Sequence, residues 1–162
     1  MTIAVYPGTF DPLTTGHVSV VRQAVRLFAH VRVLVAVHPD KEPLFTLAER
    51  IELARAALGP MPTVSVDGTE GLVVEYARTI GASVLVRGVR GASDATYETE
   101  LAQTNREIAP EIATVLLPAE PRLSMISSSE LKARAARGEP IEEYCPPVIA
   151  ARLRARVREV AS

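Results

Sequence analysis

The run Val31-Arg32-Val33-Leu34-Val35-Ala36-Val37 constrains this chain's fold more than any other stretch. Aliphatic and β-branched side chains at nearly every position leave no polar face, and a strand covered on both sides belongs in a parallel sheet flanked by helices. The rest of the chain agrees with that reading. Shorter apolar runs at Ile3–Tyr6, Thr63–Val66, Ser83–Val86 and Ala113–Leu117 supply four more strands. Between them lie helical segments at Gly16–Phe28, Leu72–Ile80 and Asp94–Ile108, and one opened by Thr46-Leu47-Ala48-Glu49 that runs to about Leu58. The Thr-x-x-Glu spacing is a capping box, Gly59-Pro60 and Pro110 are stops, and Gly81 suits the residue just past a helix end. Ser127-Ser128-Ser129-Glu130 reads as a second capping box, for a helix ending at Gly138, and Pro147 sits near the first turn of a last helix over Val148–Val160. Strands separated by helices imply right-handed crossovers. The expected fold is therefore an α/β, Rossmann-like, doubly wound five-stranded parallel sheet of order 3-2-1-4-5 with C-terminal helices. Residues 1–162 form one domain, since no linker, repeat or low-complexity segment divides them.

Charge and composition exclude several classes of function. With 18 Lys+Arg against 19 Asp+Glu there is no basic excess for general nucleic-acid binding, and 4% aromatic residues leave little to stack on bases. No apolar run approaches the length of a membrane span. The N-terminus enters a strand at once, so no signal peptide is expected, and the single cysteine, Cys145, cannot form an internal disulfide. A cytoplasmic protein with an inert thiol is the expectation.

In strand order 3-2-1-4-5 the switch point lies between the first and fourth strands, and ligands bind outside their carboxyl ends. Two distinctive segments follow those strands. Pro7-Gly8-Thr9-Phe10-Asp11-Pro12-Leu13-Thr14-Thr15-Gly16-His17 leads from strand to helix, placing free N–H groups and the positive helix end where an anion can bind. Thr9 and His17 stand at its two ends. A helix start disfavours a histidine cation unless an anion is present, so His17 should be neutral in the free protein. The second segment, Arg87-Gly88-Val89-Arg90-Gly91, offers two guanidinium forks and backbone N–H groups that glycine brings close. Arg87 follows a buried strand directly and needs a partner there. Lys41, after the second strand, and the hydroxyls of Ser127, Ser128 and Ser129 are further anion-binding candidates at the same edge. His30 and His38 lack such a setting and are read as surface residues.

Cations, hydroxyls and amides suit phosphoryl or nucleotidyl transfer, where positioning and charge stabilisation supply most of the catalysis. The chain has no zinc-ligand cluster, no Ser-His-Asp or Cys-His spacing and no GxxxxGK[ST] loop. A phosphate nucleophile, with a second pKa of about 6, is already ionised near neutral pH and needs no general base.

Tyr6-Pro7-Gly8-Thr9-Phe10-Asp11-Pro12 with Thr14-Thr15-Gly16-His17 resembles the Thr/His-x-Gly-His signature of the nucleotidylyltransferase superfamily. Lys41 with Pro43-Leu44-Phe45-Thr46, Arg87-Gly88-Val89-Arg90, Asp94, Tyr97-Glu98, Asn105-Arg106 and Ile126-Ser127-Ser128-Ser129 are similar, in order, to the bacterial phosphopantetheine adenylyltransferases. That resemblance covers about residues 3 to 155. It implies transfer of AMP from ATP to 4′-phosphopantetheine, giving dephospho-coenzyme A and pyrophosphate, with Mg²⁺ carried by ATP and no direct protein ligand. It also implies a homohexamer and feedback inhibition by coenzyme A. By resemblance, Thr9, Lys41, Val73 and Arg87 contact phosphopantetheine. Thr9, Phe10, His17, Gly88, Val89, Arg90, Glu98 and the stretch Leu123, Ser124, Met125, Ile126, Ser127, Ser128 and Ser129 contact ATP. His17, Lys41 and Arg90 are the expected catalytic groups, His17 stabilising the transition state. Leu123, Val73 and Glu42 replace a tryptophan, a methionine and a basic residue of some members. Another nucleotidylyltransferase of the superfamily, or a non-catalytic nucleotide sensor, is the alternative reading.

Overall fold

A computed structural model describing residues 1–162 arranges the chain as β1 (Ile3–Gly8), α1 (Thr15–Ala24), β2 (His30–Ala36), α2 (Leu47–Leu58), β3 (Val64–Thr69), α3 (Val73–Thr79), β4 (Val84–Val89), α4 (Ala92–Ile108), β5 (Ala113–Pro118), α5 (Ser128–Ala136) and α6 (Pro147–Ala161). The five strands form one sheet of the expected order β3-β2-β1-β4-β5, with every pairing parallel as the alternation of strand and helix predicts. Val31, Val33 and Val35 point into the core shared with α1 and α2, while Leu34 faces the other side beside Val5, Val74 and Leu85. The two-faced character of β2 is therefore real. A third cluster joins α5 and α6 through Leu131, Ile141, Ile149 and Leu153, and Phe45 is buried in it.

Several elements differ in extent from the sequence expectation. β1 continues through Pro7-Gly8, pairing with Leu34 and Val35 on β2, and β4 continues through Arg87-Gly88-Val89, pairing with β5 as far as Pro118. Arg87, Gly88 and Val89 are thus strand residues and not a loop. The α1 helix stops at Ala24 and gives way to a turn over residues 25–27, and the N–H groups of residues 25–28 bond to carbonyls both three and four residues back. The Thr46 box forms in full, whereas Ser127 caps α5 alone because Glu130 turns to Arg134 and Arg137. His30 is half-buried at 2.7 Å from Ser65 Oγ and is not a simple surface residue. Cys145 is buried, donates weakly to the Ile141 carbonyl, and burial pushes its thiol up to about 11.

The sheet opens at the switch point for a local reason. β1 and β4 pair only at Ala4–Val84 and Val5–Leu85. Pro7 has no N–H to continue the ladder, and its carbonyl instead accepts a 2.8 Å hydrogen bond from Arg87 Nη1. The crevice between the two carboxyl ends therefore carries a guanidinium at its base.

Candidate active site

Beyond that opening lies a cleft of about 550 Å³, lined by the loop after β1, the start of α1, the end of β4, the segment 41–43 and the start of α5. The loop after β1 is shaped around Phe10. This residue adopts φ of 45°, a left-handed conformation that is costly for a bulky side chain. Its ring is packed edge-on against Tyr6 and His17, with centroids 5.2 and 5.0 Å away. Only glycine fits above it, because a Cβ on Gly8 would lie 2.7 Å from Phe10 Cζ. The same closeness recurs at the helix start. A Cβ on Gly16 would come within 3.1 Å of the Ser124 backbone, so glycine lets α1 abut segment 123–124.

His17 is held as part of a helix cap. Thr14 Oγ1 accepts from the His17 N–H at 3.3 Å, and the Thr14 N–H donates to His17 Nδ1 at 3.0 Å. This is a capping box with histidine in place of Glu or Gln. Because Nδ1 accepts from a backbone N–H, the neutral ring carries its proton on Nε2, as a donor facing the cleft. Burial of the ring, and then the nearby Arg90 and Arg87 charges, lower its pKa to about 4. The folded value lies below the ordinary histidine value of about 6.5, so unfolding takes up a proton between the two and stability falls as pH is lowered through that window. A bound polyphosphate reverses the local charge and favours the imidazolium. In a ¹⁵N-detected titration of the free protein, His17 is expected to stay the Nε2–H tautomer from pH 8 to about 5, and a bound polyphosphate is expected to raise its midpoint. A free-protein midpoint near 6.5 contradicts this geometry.

Arg87 closes the opposite wall. Its Nε and Nη2 donate to both Glu98 oxygens at 2.7 and 2.8 Å, a bidentate pair in which the Glu98 side chain is only 9% exposed. Burial pulls the Arg87 pKa down, but the Glu98 carboxylate more than offsets it and the net shift is upward. Three of the five guanidinium N–H groups are used on Glu98 and Pro7, so two remain for an anion in the cleft. Arg90 lies further out, with Asp94 accepting from its backbone N–H and its Nε.

The cleft gathers most of the residues that the sequence singled out. Thr9, Phe10, His17, Lys41, Arg87, Gly88, Arg90, Glu98, Ser124, Ile126, Ser127, Ser128 and Ser129 all line it. Lys41 is exposed, and its ammonium has no ion-pair partner in the chain. Ser128 donates to the Pro12 carbonyl at 2.8 Å, tying the start of α5 to the first loop. Four of the singled-out residues do not line the cleft. Val73 begins α3 and packs against the core on that face, and Val89 ends β4 opposite Pro118. Leu123 presents its carbonyl to the Thr15 hydroxyl, and Met125 faces solvent.

The sequence gives no role to Lys132 or Arg50, and it places Thr14 and Asp11 in the signature loop without assigning either a role in the site. Thr14 carries a readable signal, the three-residue spacing to His17. Asp11 is buried at the cleft wall, where it accepts from Leu44 N, Phe45 N and Lys132 Nζ. Lys132 and Arg50 sit on helices where a cation resembles ordinary surface charge, and no local pattern distinguishes them. No group of three His, Cys, Asp or Glu is placed to hold a metal ion, and the two buried carboxylates at the cleft are each engaged by a cation. No helix is long and apolar enough to cross a membrane.

Known proteins are similar to this chain in sequence and in fold. Residues 5–134 match the cytidylyltransferase-like family model. The chain is 47% identical over 146 residues to the phosphopantetheine adenylyltransferase of Desulforudis audaxviator, covering 90% of each chain. It is 40% identical to that of Heliobacterium modesticaldum and 39% to that of Caldanaerobacter subterraneus, each over 153 residues, covering 94% of this chain and 91% and 96% of theirs. A solved structure of a candidate nicotinate-nucleotide adenylyltransferase from Vibrio parahaemolyticus superposes with a TM-score of 0.70, covering 98% of this chain and 97% of that one at 19% identity, and shares the fold. The split sheet, the histidine-capped helix and the cationic wall thus stand in a chain that belongs to the phosphopantetheine adenylyltransferase family, within the cytidylyltransferase-like group.

Proposed function

We propose that the chain transfers AMP from ATP to 4′-phosphopantetheine, forming dephospho-coenzyme A and pyrophosphate. The observation that carries this reading is the cleft itself. A neutral Nε2–H donor at one capped helix start, a second capped helix start on α5, and an arginine with spare donors all face one space. Such groups stabilise charge growing on phosphate oxygens without supplying a base. An acceptor phosphate oxygen attacks the α-phosphorus, the new P–O bond forms as the bond to the β-phosphate oxygen breaks, and pyrophosphate leaves with the electron pair.

In this scheme Thr9, Lys41 and Arg87 hold the acceptor phosphate, and Val73 lies toward the pantetheine arm. The nucleotide rests on Thr9, Phe10 and His17, on Gly88, Arg90 and Glu98, and on Ser124 and residues 126–129, while Val89, Leu123 and Met125 stand behind those positions in the chain. His17, Lys41 and Arg90 are the groups proposed to meet charge developing at the α-phosphate. Mg²⁺ is proposed to accompany the nucleotide phosphates and neutralise part of their charge. Feedback inhibition by coenzyme A, a cytoplasmic location and a homohexamer complete the proposal. A self-association surface is supported by α4, which buries only Glu98 along its 17 residues and exposes Tyr97 and Ile108.

A pyrophosphate-release assay tests the function directly. Turnover is expected with ATP and 4′-phosphopantetheine and at most weakly with CTP. A preference for CTP or for another phosphate acceptor reassigns the chain within its superfamily, and absence of turnover with ATP binding intact identifies a sensor.

A further inference from the structure

Lys41 sits in a segment that does little to hold itself. Every residue from Val37 to Pro43 is exposed, and Lys41 N donates only to the His38 carbonyl three residues back. The segment is secured at its far end, where the backbone polar groups of Leu44 and Phe45 are all taken by charged side chains. Asp11 accepts from Leu44 N at 2.8 Å and Phe45 N at 3.0 Å. Arg156 Nη1 donates to the Leu44 carbonyl at 2.8 Å, and Arg50 Nε to the Phe45 carbonyl at 3.2 Å.

Each of these three side chains is itself anchored. Arg50 is buried, and its Nη1 also donates to the carbonyls of Ala36, at the segment's near end, and Thr9, in the first loop. Asp11 is fixed by Lys132 of α5. Arg156 of α6 pairs with both Glu49 oxygens, lies 4.9 Å above the Phe45 ring and is only 18% exposed. Glu49 in turn accepts from Thr46 N at 2.8 Å and pairs with Arg152. Buried backbone groups in loops usually bond to other backbone or to water. Here the first loop, α2 and α6 each contribute a charge-assisted bond to one dipeptide, which fixes its position far more tightly than a water-bonded loop.

We propose that Asp11, Arg50 and Arg156 are positioning residues that clamp Leu44-Phe45 and so set where Lys41 stands over the cleft. Arg156 is the most revealing of the three, because it lies outside the cleft and touches the Lys41 segment only through the dipeptide. The C-terminal helix thereby contributes to acceptor binding without touching the acceptor. This rests on the reading that Lys41 holds the acceptor phosphate.

The test combines hydrogen exchange of the whole protein with steady-state kinetics of Arg156→Met, which keeps an apolar stem against Phe45. Amide exchange in residues 37–46 is expected to speed up about 10-fold or more while other segments keep their rates, because the opening is local. The kcat/KM for phosphopantetheine is expected to fall between about 10-fold and 100-fold, the range for a misplaced catalytic group, with the KM for ATP unchanged. Combined with Lys41→Ala, Arg156→Met should add no further loss, since two changes acting through one group are not additive. Arg156→Lys, keeping one donor, should recover part of the loss. Unchanged exchange in 37–46, or a loss that multiplies in full with that of Lys41→Ala, overturns the clamp. Wild-type protein that fails to turn over phosphopantetheine overturns the functional reading, a result distinguishable from both.

Discussion

Replacing His17 with alanine is expected to lower kcat by about 10² to 10³, the usual cost of removing one preorganised donor to a developing oxyanion, while ATP still binds. The histidine has two jobs, and the structure separates them. Nδ1 completes the cap of α1 by accepting from Thr14 N, whereas Nε2–H faces the cleft. Loss of the cap alone costs about 1 kcal/mol of stability, too little to unfold a domain or account for a rate loss of that size. His17→Gln distinguishes the two jobs further. A glutamine at this position rebuilds the capping box and is expected to restore the denaturation midpoint, yet its amide group does not place a donor where Nε2 stands. Stability should therefore recover and kcat should not. Near-normal kcat for His17→Ala in the pyrophosphate assay contradicts the assignment, and a glutamine variant that recovers both properties shows that the cap is the whole of the histidine's role.

The sheet and the location of the cleft were legible in the sequence because they follow from patterns with few alternatives. An apolar run such as Val31–Val37 has to be buried on both faces, and helical segments between strands impose parallel pairing; the order β3-β2-β1-β4-β5, one of the few doubly wound arrangements, is assumed from the fold class and is the one the sheet adopts. The partnerships within the cleft were less legible. Arg87 clearly needed a partner, but that this partner is Glu98 of α4 depends on how α4 lies against β4. Asp11 reads as a loop aspartate in sequence, and only the fold shows two amides of a segment more than thirty residues away meeting its carboxylate. Strand ends were missed for a related reason. Pro7 and Gly8 look like turn residues, yet both remain in β1 because Leu34 and Val35 of β2 continue to pair with them. Local propensity was overridden by the neighbouring strand.

Arg87→Ala is expected to weaken both the fold and acceptor binding, and the two effects can be separated. Removing one member of a buried, hydrogen-bonded ion pair leaves an uncompensated charge, and with the Glu98 side chain 9% exposed the cost is about 3 kcal/mol. Chemical denaturation of the variant at pH 7.5 should show that deficit relative to wild type. Arg87→Ala/Glu98→Gln removes the stranded charge and should regain most of the stability at pH 7.5. It should not regain acceptor binding, because the two guanidinium N–H groups left over from Glu98 and Pro7 are those proposed to meet the phosphate. The KM for phosphopantetheine is therefore expected to rise about 30-fold in both variants, corresponding to about 2 kcal/mol for a lost charge-assisted contact. If the double variant recovers KM along with stability, Arg87 serves the sheet and Glu98 alone, and the acceptor phosphate lies elsewhere in the cleft.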